Sequence, residues 1–126
     1  MKKYASIPEF YADLSASQRT LAKPIIKALE WFGVGKLQWN MPVYYKDNII
    51  IRPKKNQSRW YFGIKGAACK HPLMYLWFYD IHHFMTQQPQ VEYAFDQIQK
   101  ITGQIWIRTE EDSKRAAALI TLSKDL

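Results

Sequence analysis

Between Leu37 and Tyr45 the chain leaves the helical period, and that change limits the folds open to it more than any other feature. Leu37, Trp39, Met41, Val43 and Tyr45 alternate with Gln38, Asn40, Pro42 and Tyr44. A period of two marks a strand whose two faces meet different surroundings. Lys36–Tyr45 is therefore expected as one strand, with Pro42, which has no N–H for a ladder, at an edge or a bulge. Lys46-Asp47-Asn48 is turn chemistry. Ile49-Ile50-Ile51-Arg52 is the returning strand, Pro53–Ser58 a polar loop, and Arg59–Ile64, rich in aromatic side chains, a third strand. Consecutive strands on short loops predict an antiparallel meander.

The flanks keep the helical period. Ser6-Ile7-Pro8-Glu9 is a capping box, in which the Ser caps and the Glu reaches back to the cap N–H. Ser15-Ala16-Ser17-Gln18 is a second box and opens a helix with Leu21, Ile25, Ala28, Leu29 and Phe32 on one face. Pro24 predicts a kink or a restart inside it, and Gly33 and Gly35 its end. Pro72 predicts a helix through Met85. Pro89 predicts another, with Val91, Ala94, Phe95, Ile98 and Ile101 on one side and Gly103 past its end. Gln104–Arg108 is a short strand. Thr109 caps a last helix whose first turn, Glu110-Glu111-Asp112, suits the positive end of the helix dipole, with Ala116, Leu119 and Ile120 as its buried stripe. The expected order is α-α-β-β-β-α-α-β-α. That is an α+β fold: an antiparallel sheet of about four or more strands packed against N- and C-terminal helices, in a single domain over residues 1–126.

Cys69 is the only cysteine of the 126 residues, so the core must hold without an intrachain disulfide. Met1-Lys2-Lys3 is basic but no apolar run follows, and no signal peptide is expected. No apolar run reaches the ~18 residues of a membrane span. The expected location is the cytoplasm. The formal charge of +7 is uneven: residues 1–60 hold eleven basic and four acidic side chains, residues 61–126 seven of each. Such a field attracts nucleic acid, anionic lipid or another anionic ligand if the charges share a surface.

Two segments resemble a known family. Trp39-Asn40-Met41-Pro42-Val43-Tyr44 has the form W-x-M-P-x-Y. Phe62-Gly63-Ile64-Lys65-Gly66-Ala67-Ala68-Cys69-Lys70-His71-Pro72 has the form F-x-x-K-G-A-A-x-x-x-P. Both are similar to segments of the YdhG-like proteins, a large bacterial family of unknown function named after a member described as a frataxin-like iron chaperone. The resemblance covers residues 6–72 and, in outline, the rest. It implies a frataxin-like sandwich with helices on one face of an antiparallel sheet. It also implies an iron role, which frataxin-like proteins perform with an acidic helix and strand edge. The corresponding region here offers Glu9, Asp13 and Glu30.

Three constellations bear on function. Lys46, Arg52, Lys54, Lys55 and Arg59 crowd one hairpin and its loop with only Asp47 opposing, Trp60 and Tyr61 follow, and Trp39, Met41, Pro42 and Tyr44 lie on the preceding strand. Cations interleaved with rings on a sheet suit a single-stranded nucleic acid, whose bases stack and whose phosphates pair. If Trp39, Met41, Val43 and Tyr45 pack on the helices, Tyr44 is displayed at the Pro42 kink. The same rings could instead line a small-molecule pocket. Second, His71, Asp80, His82 and His83 are a metal-ligand set by chemistry, but neighbouring helical residues point apart and the i, i+4 pair of a helical site is missing. Third, Cys69 beside Lys70 is a thiol near a cation. No P-loop, nucleophile elbow, zinc helix or dinucleotide fingerprint is present. The expectation is a non-enzymatic binding module for an anionic ligand or nucleic acid, with no membrane partner and no cofactor beyond the iron of the resemblance.

Overall fold

The structure, a computed structural model, describes residues 3–46, 57–65, 73–79, 96–99 and 102–125. The element order is α1 (Ile7–Ala12), α2 (Ala16–Phe32), β1 (Gly33–Gln38), β2 (Met41–Lys46), β3 (Arg59–Lys65), β4 (Leu73–Tyr79), β5 (Asp96–Gln99), β6 (Thr102–Ile107) and α3 (Glu110–Ser123). The strands form a six-stranded sheet in the order β1-β2-β3-β4-β6-β5. Every neighbouring pair is antiparallel. Helices at the two ends of the chain pack on one side of it, so the fold is α+β.

Local chemistry sets the helix starts. Ser6 Oγ accepts from the Glu9 N–H at 3.3 Å. At α2 the box is closed in both directions: Ser15 Oγ takes the Gln18 N–H, and Gln18 Oε1 takes the Ser15 N–H. Thr109 and Asp112 do the same for α3. These bonds satisfy donors that a helix start leaves orphaned. Pro24 neither ends nor restarts α2, which runs through it. It lies on the exposed side, so the carbonyl left without its intrahelical donor is on the side nearest water.

The expected single strand at Lys36–Tyr45 is instead a hairpin. Trp39 and Asn40 have positive φ values of 54° and 61°, and Gln38 pairs with Met41 across them. Two central residues at positive φ make the tight hairpin turn whose twist matches its strands. The alternation survived the turn because a two-residue loop preserves the period. The glycines that end α2 also begin β1. A Cβ on Gly33 would lie 1.9 Å from the Tyr45 carbonyl oxygen, so close strand approach, not left-handed backbone, requires glycine there.

Two helical expectations fail. Leu73–Tyr79 is strand β4, not part of a helix from Pro72. Met74, Leu76 and Phe78 point to the helices while Leu73, Tyr75, Trp77 and Tyr79 point away. Apolar rings on both faces hid the period of two. Asp96–Gln99 is strand β5, inside the segment expected as a helix from Pro89. The rest of those two segments, and the strand expected at Ile49–Arg52, lie outside the described residues.

The main core lies between sheet and helices. Phe10, Leu14, Ile25, Leu29 and Phe32 meet Tyr44, Trp60, Phe62, Leu76, Phe78 and Ile105, closed by Ala116, Leu119 and Ile120 of α3. Trp60 is fully buried, and its indole N–H donates to Ser123 Oγ at 2.9 Å. Ser113 Oγ donates to the Leu21 carbonyl, which ties α3 to α2. No described helix is long and apolar enough to cross a membrane.

Candidate functional site

The face of the sheet away from the helices carries a second apolar group, Val43, Tyr45 and Tyr61, packed by Met41, Trp77 and Tyr79. Strand register arranges it in rungs. Tyr45, Arg59 and Tyr79 lie side by side across β2, β3 and β4, and Lys36, Val43, Tyr61 and Trp77 form the next rung. Gly63, Tyr75 and Trp106 form another. Glycine is needed at position 63 because a Cβ would lie 2.4 Å from the Tyr75 ring.

Trp39 stands over the second rung. The turn lays its ring on Tyr61 at 5.6 Å between centroids and 11° between planes, with Trp77 beside it at 6.4 Å. One side of the indole is thus covered, yet the residue is 65% exposed. A bulky residue in left-handed backbone costs of order 1–2 kcal/mol and persists only where its surroundings hold it. Here the stack on Tyr61 and the Tyr4 N–H, which donates to Asn40 Oδ1 at 2.8 Å, hold the turn.

Cations lie over these rings. The Arg59 guanidinium is sandwiched between Tyr79, at 4.4 Å from its centroid, and Tyr45, at 5.4 Å. Lys36 Nζ also lies over Tyr45 at 5.4 Å. At the opposite corner Lys65 and Arg108 lie over Trp106 at 5.5 and 5.6 Å. Every carboxylate whose side chain is described sits on or beside a helix: Glu9, Asp13, Glu30, Glu110, Glu111, Asp112 and Asp125. No carboxylate side chain among those described lies on this face, whereas cations are found both here and on or beside the helices, as with Arg19, Lys23, Lys27, Lys114, Arg115 and Lys124.

Polar atoms on the face are unevenly served. Tyr45 Oη donates to Gln38 Oε1. Among the described residues, Tyr75 Oη reaches the Met41 thioether, at 3.9 Å. The indole N–H groups of Trp77 and Trp106 are buried with no acceptor among the described residues. Burial raises the Tyr61 phenol above its ordinary value, against an opposing pull from Arg59, and burial raises Tyr75 too. Both rings are therefore neutral at physiological pH.

Of the residues singled out from sequence, Trp39, Met41 and Arg59 belong to this face. Tyr44, Trp60 and Pro42 do not. Tyr44 is expected on display only if its neighbours pack on the helices, and the packing is the reverse. Tyr44 is buried against α1, with its hydroxyl 2.6 Å from that of Tyr11, and Trp60 is core. Pro42 is buried on the same side of β2. Arg52, Lys54, Lys55, His71, Asp80, His82, His83 and Cys69 lie outside the described residues. Among the described ones no three His, Cys, Asp or Glu side chains come together to hold a metal. Sequence reasoning named Tyr61 with Trp60 but passed over Lys36, Lys65, Tyr75, Trp77, Tyr79, Trp106 and Arg108. Three of them, Tyr75, Trp77 and Tyr79, lie at every second position of Leu73–Tyr79, which the period of a strand puts on one face.

No protein-family profile, curated protein or solved structure matches the chain.

Proposed function

We propose that this chain is a non-enzymatic binding module, similar to the YdhG-like proteins, that takes single-stranded nucleic acid on the outer face of its sheet. The observation that carries this is the exposed Trp39 ring, stacked on Tyr61 in a field of rings edged by Lys36, Lys65 and Arg108. Bases stack on rings whatever their sequence, and cations at the rim hold the phosphates. No described carboxylate side chain lies on this face, which favours an anionic partner there. The W-x-M-P-x-Y segment then has a physical purpose: it is the turn that carries the indole over the sheet.

A fluorescence-anisotropy titration with labelled single strands at rising salt tests the reading. Three rim cations predict a slope of log affinity against log salt of about −2, at ~0.7 per phosphate. Absence of binding at low ionic strength rejects it.

A further inference from the structure

We infer that a bound strand crosses this face on one diagonal, from Lys36 to Lys65 and Arg108 by way of Trp39, and that the full site holds about four or five nucleotides; the inference rests on the single-strand reading above. Strand register gives the outer face a grid. Lys36 lies on β1, in the rung of Val43, Tyr61 and Trp77. Lys65 lies further along β3 than Tyr61, and pairs with Leu73. Arg108 follows Ile107, the partner of Met74, so continuing the register by one residue sets it beside Leu73. The rim cations therefore stand at two opposite corners, Lys36 at the first, Lys65 and Arg108 at the second.

Between those corners the sheet supplies rings. Trp39 lies on Tyr61 with Trp77 beside it, and Tyr75 and Trp106 follow in the next rung. Arg59, held between Tyr45 and Tyr79, is off the line. A path along the second corner alone, from Lys65 to Arg108, would miss Trp39. Lys36 and Arg108 are separated by the strands β2, β3 and β4, and along the strand direction by the step from Tyr61 to Lys65. At ~4.8 Å per strand and ~3.4 Å per residue their backbone positions lie roughly 23 Å apart. Nucleotides stacked as in a duplex advance ~3.4 Å each. Bases that stack on protein rings instead of on one another spread the backbone, to about twice that step. Between about three and four such steps cover the diagonal, near the short end of the range for small single-strand-binding domains.

Unlabelled oligothymidines of two to twelve nucleotides compete with a labelled strand on the wild-type chain at one low salt concentration. Affinity should climb steeply to about five nucleotides and rise beyond that only by the number of extra registers. Lys36→Gln gives the sharper reading. A trinucleotide covers Trp39 and the corner of Lys65 and Arg108, so its affinity should hold in that variant. The affinity of an octanucleotide should fall about threefold, with a salt slope shallower by ~0.7. Lys65→Gln/Arg108→Gln should weaken both lengths. Affinity that is level from the dinucleotide onward, affinity still climbing beyond the register gain at twelve, or a Lys36→Gln effect independent of length overturns the path and leaves the single-strand reading in place. Binding of no strand at any length removes both.

Discussion

Replacing Trp39 by glycine should separate binding from folding. The indole is 65% exposed, so about a third of its surface is covered. Large rings bury 150–250 Å² when fully enclosed, which puts the covered area at roughly 50–90 Å². At ~25 cal/mol per Å² the substitution forfeits ~1–2 kcal/mol of apolar burial. It also removes the left-handed strain at φ 54°, which returns ~1 kcal/mol. Asn40 and its bond from Tyr4 are untouched. The net loss of stability is about 1 kcal/mol or less, a small shift in a thermal melt. The loss in binding is larger: a base–ring stack contributes ~1–3 kcal/mol, or about 5- to 150-fold in Kd. Anisotropy with an oligothymidine strand measures one effect and calorimetry the other. A Trp39→Gly protein that melts near the wild type and binds undiminished would refute the assignment of Trp39 as a stacking surface.

Two further outcomes test the frame behind the site. Gly33→Ala puts a methyl 1.9 Å from the Tyr45 carbonyl oxygen; backbone cannot yield as a side chain does, so a loss of ~3 kcal/mol or more in urea unfolding is expected. Alkaline stability is set in part by the buried Tyr11–Tyr44 pair. Burial pushes the Tyr44 phenol up to about 12 and raises Tyr11 as well. The unfolded phenol ionises near 10, so above that pH the unfolded chain holds fewer protons and stability falls. The Tyr44 contribution is whole below pH 10 and is lost as pH rises through about 12, up to ~3 kcal/mol. Thermal melts across that window should decline less steeply for Tyr44→Phe; an equal slope would place the ionising group elsewhere.

The helices were legible because their signals are local. Ser6, Ser15 and Thr109 announce three starts and each caps its helix, but the full box forms only at Ser15 and Thr109; Glu9 takes the Ala5 N–H rather than that of Ser6. The strands were half legible. Arg59–Lys65 follows from composition, but the turn at Trp39-Asn40 has no glycine to mark it, and tryptophan is a residue that left-handed backbone disfavours. Its cost is met by the stack on Tyr61, twenty-two positions away in sequence, which no local pattern reports. Leu73–Tyr79 failed for a related reason. A strand with rings on both faces shows no alternation of polarity, and a proline before an apolar run looks like a helix start. The candidate face shared both obstacles, since its residues come from five strands and meet only through register.

The apolar outer face has two physical explanations, and its described charges bear on the choice. Rings on both sides of a sheet are ordinary where a second layer of structure covers each. Such a layer would have to enclose Lys36, Lys65 and Arg108 as well, because they lie over the same rings. Burying a cation without a paired anion is strongly unfavourable, and every carboxylate whose side chain is described is on or beside a helix. A cover that is merely apolar therefore fails. On the function proposed above, the partner brings flat rings for Trp39 and negative charge for the rim, which a single strand of nucleic acid supplies along one chain.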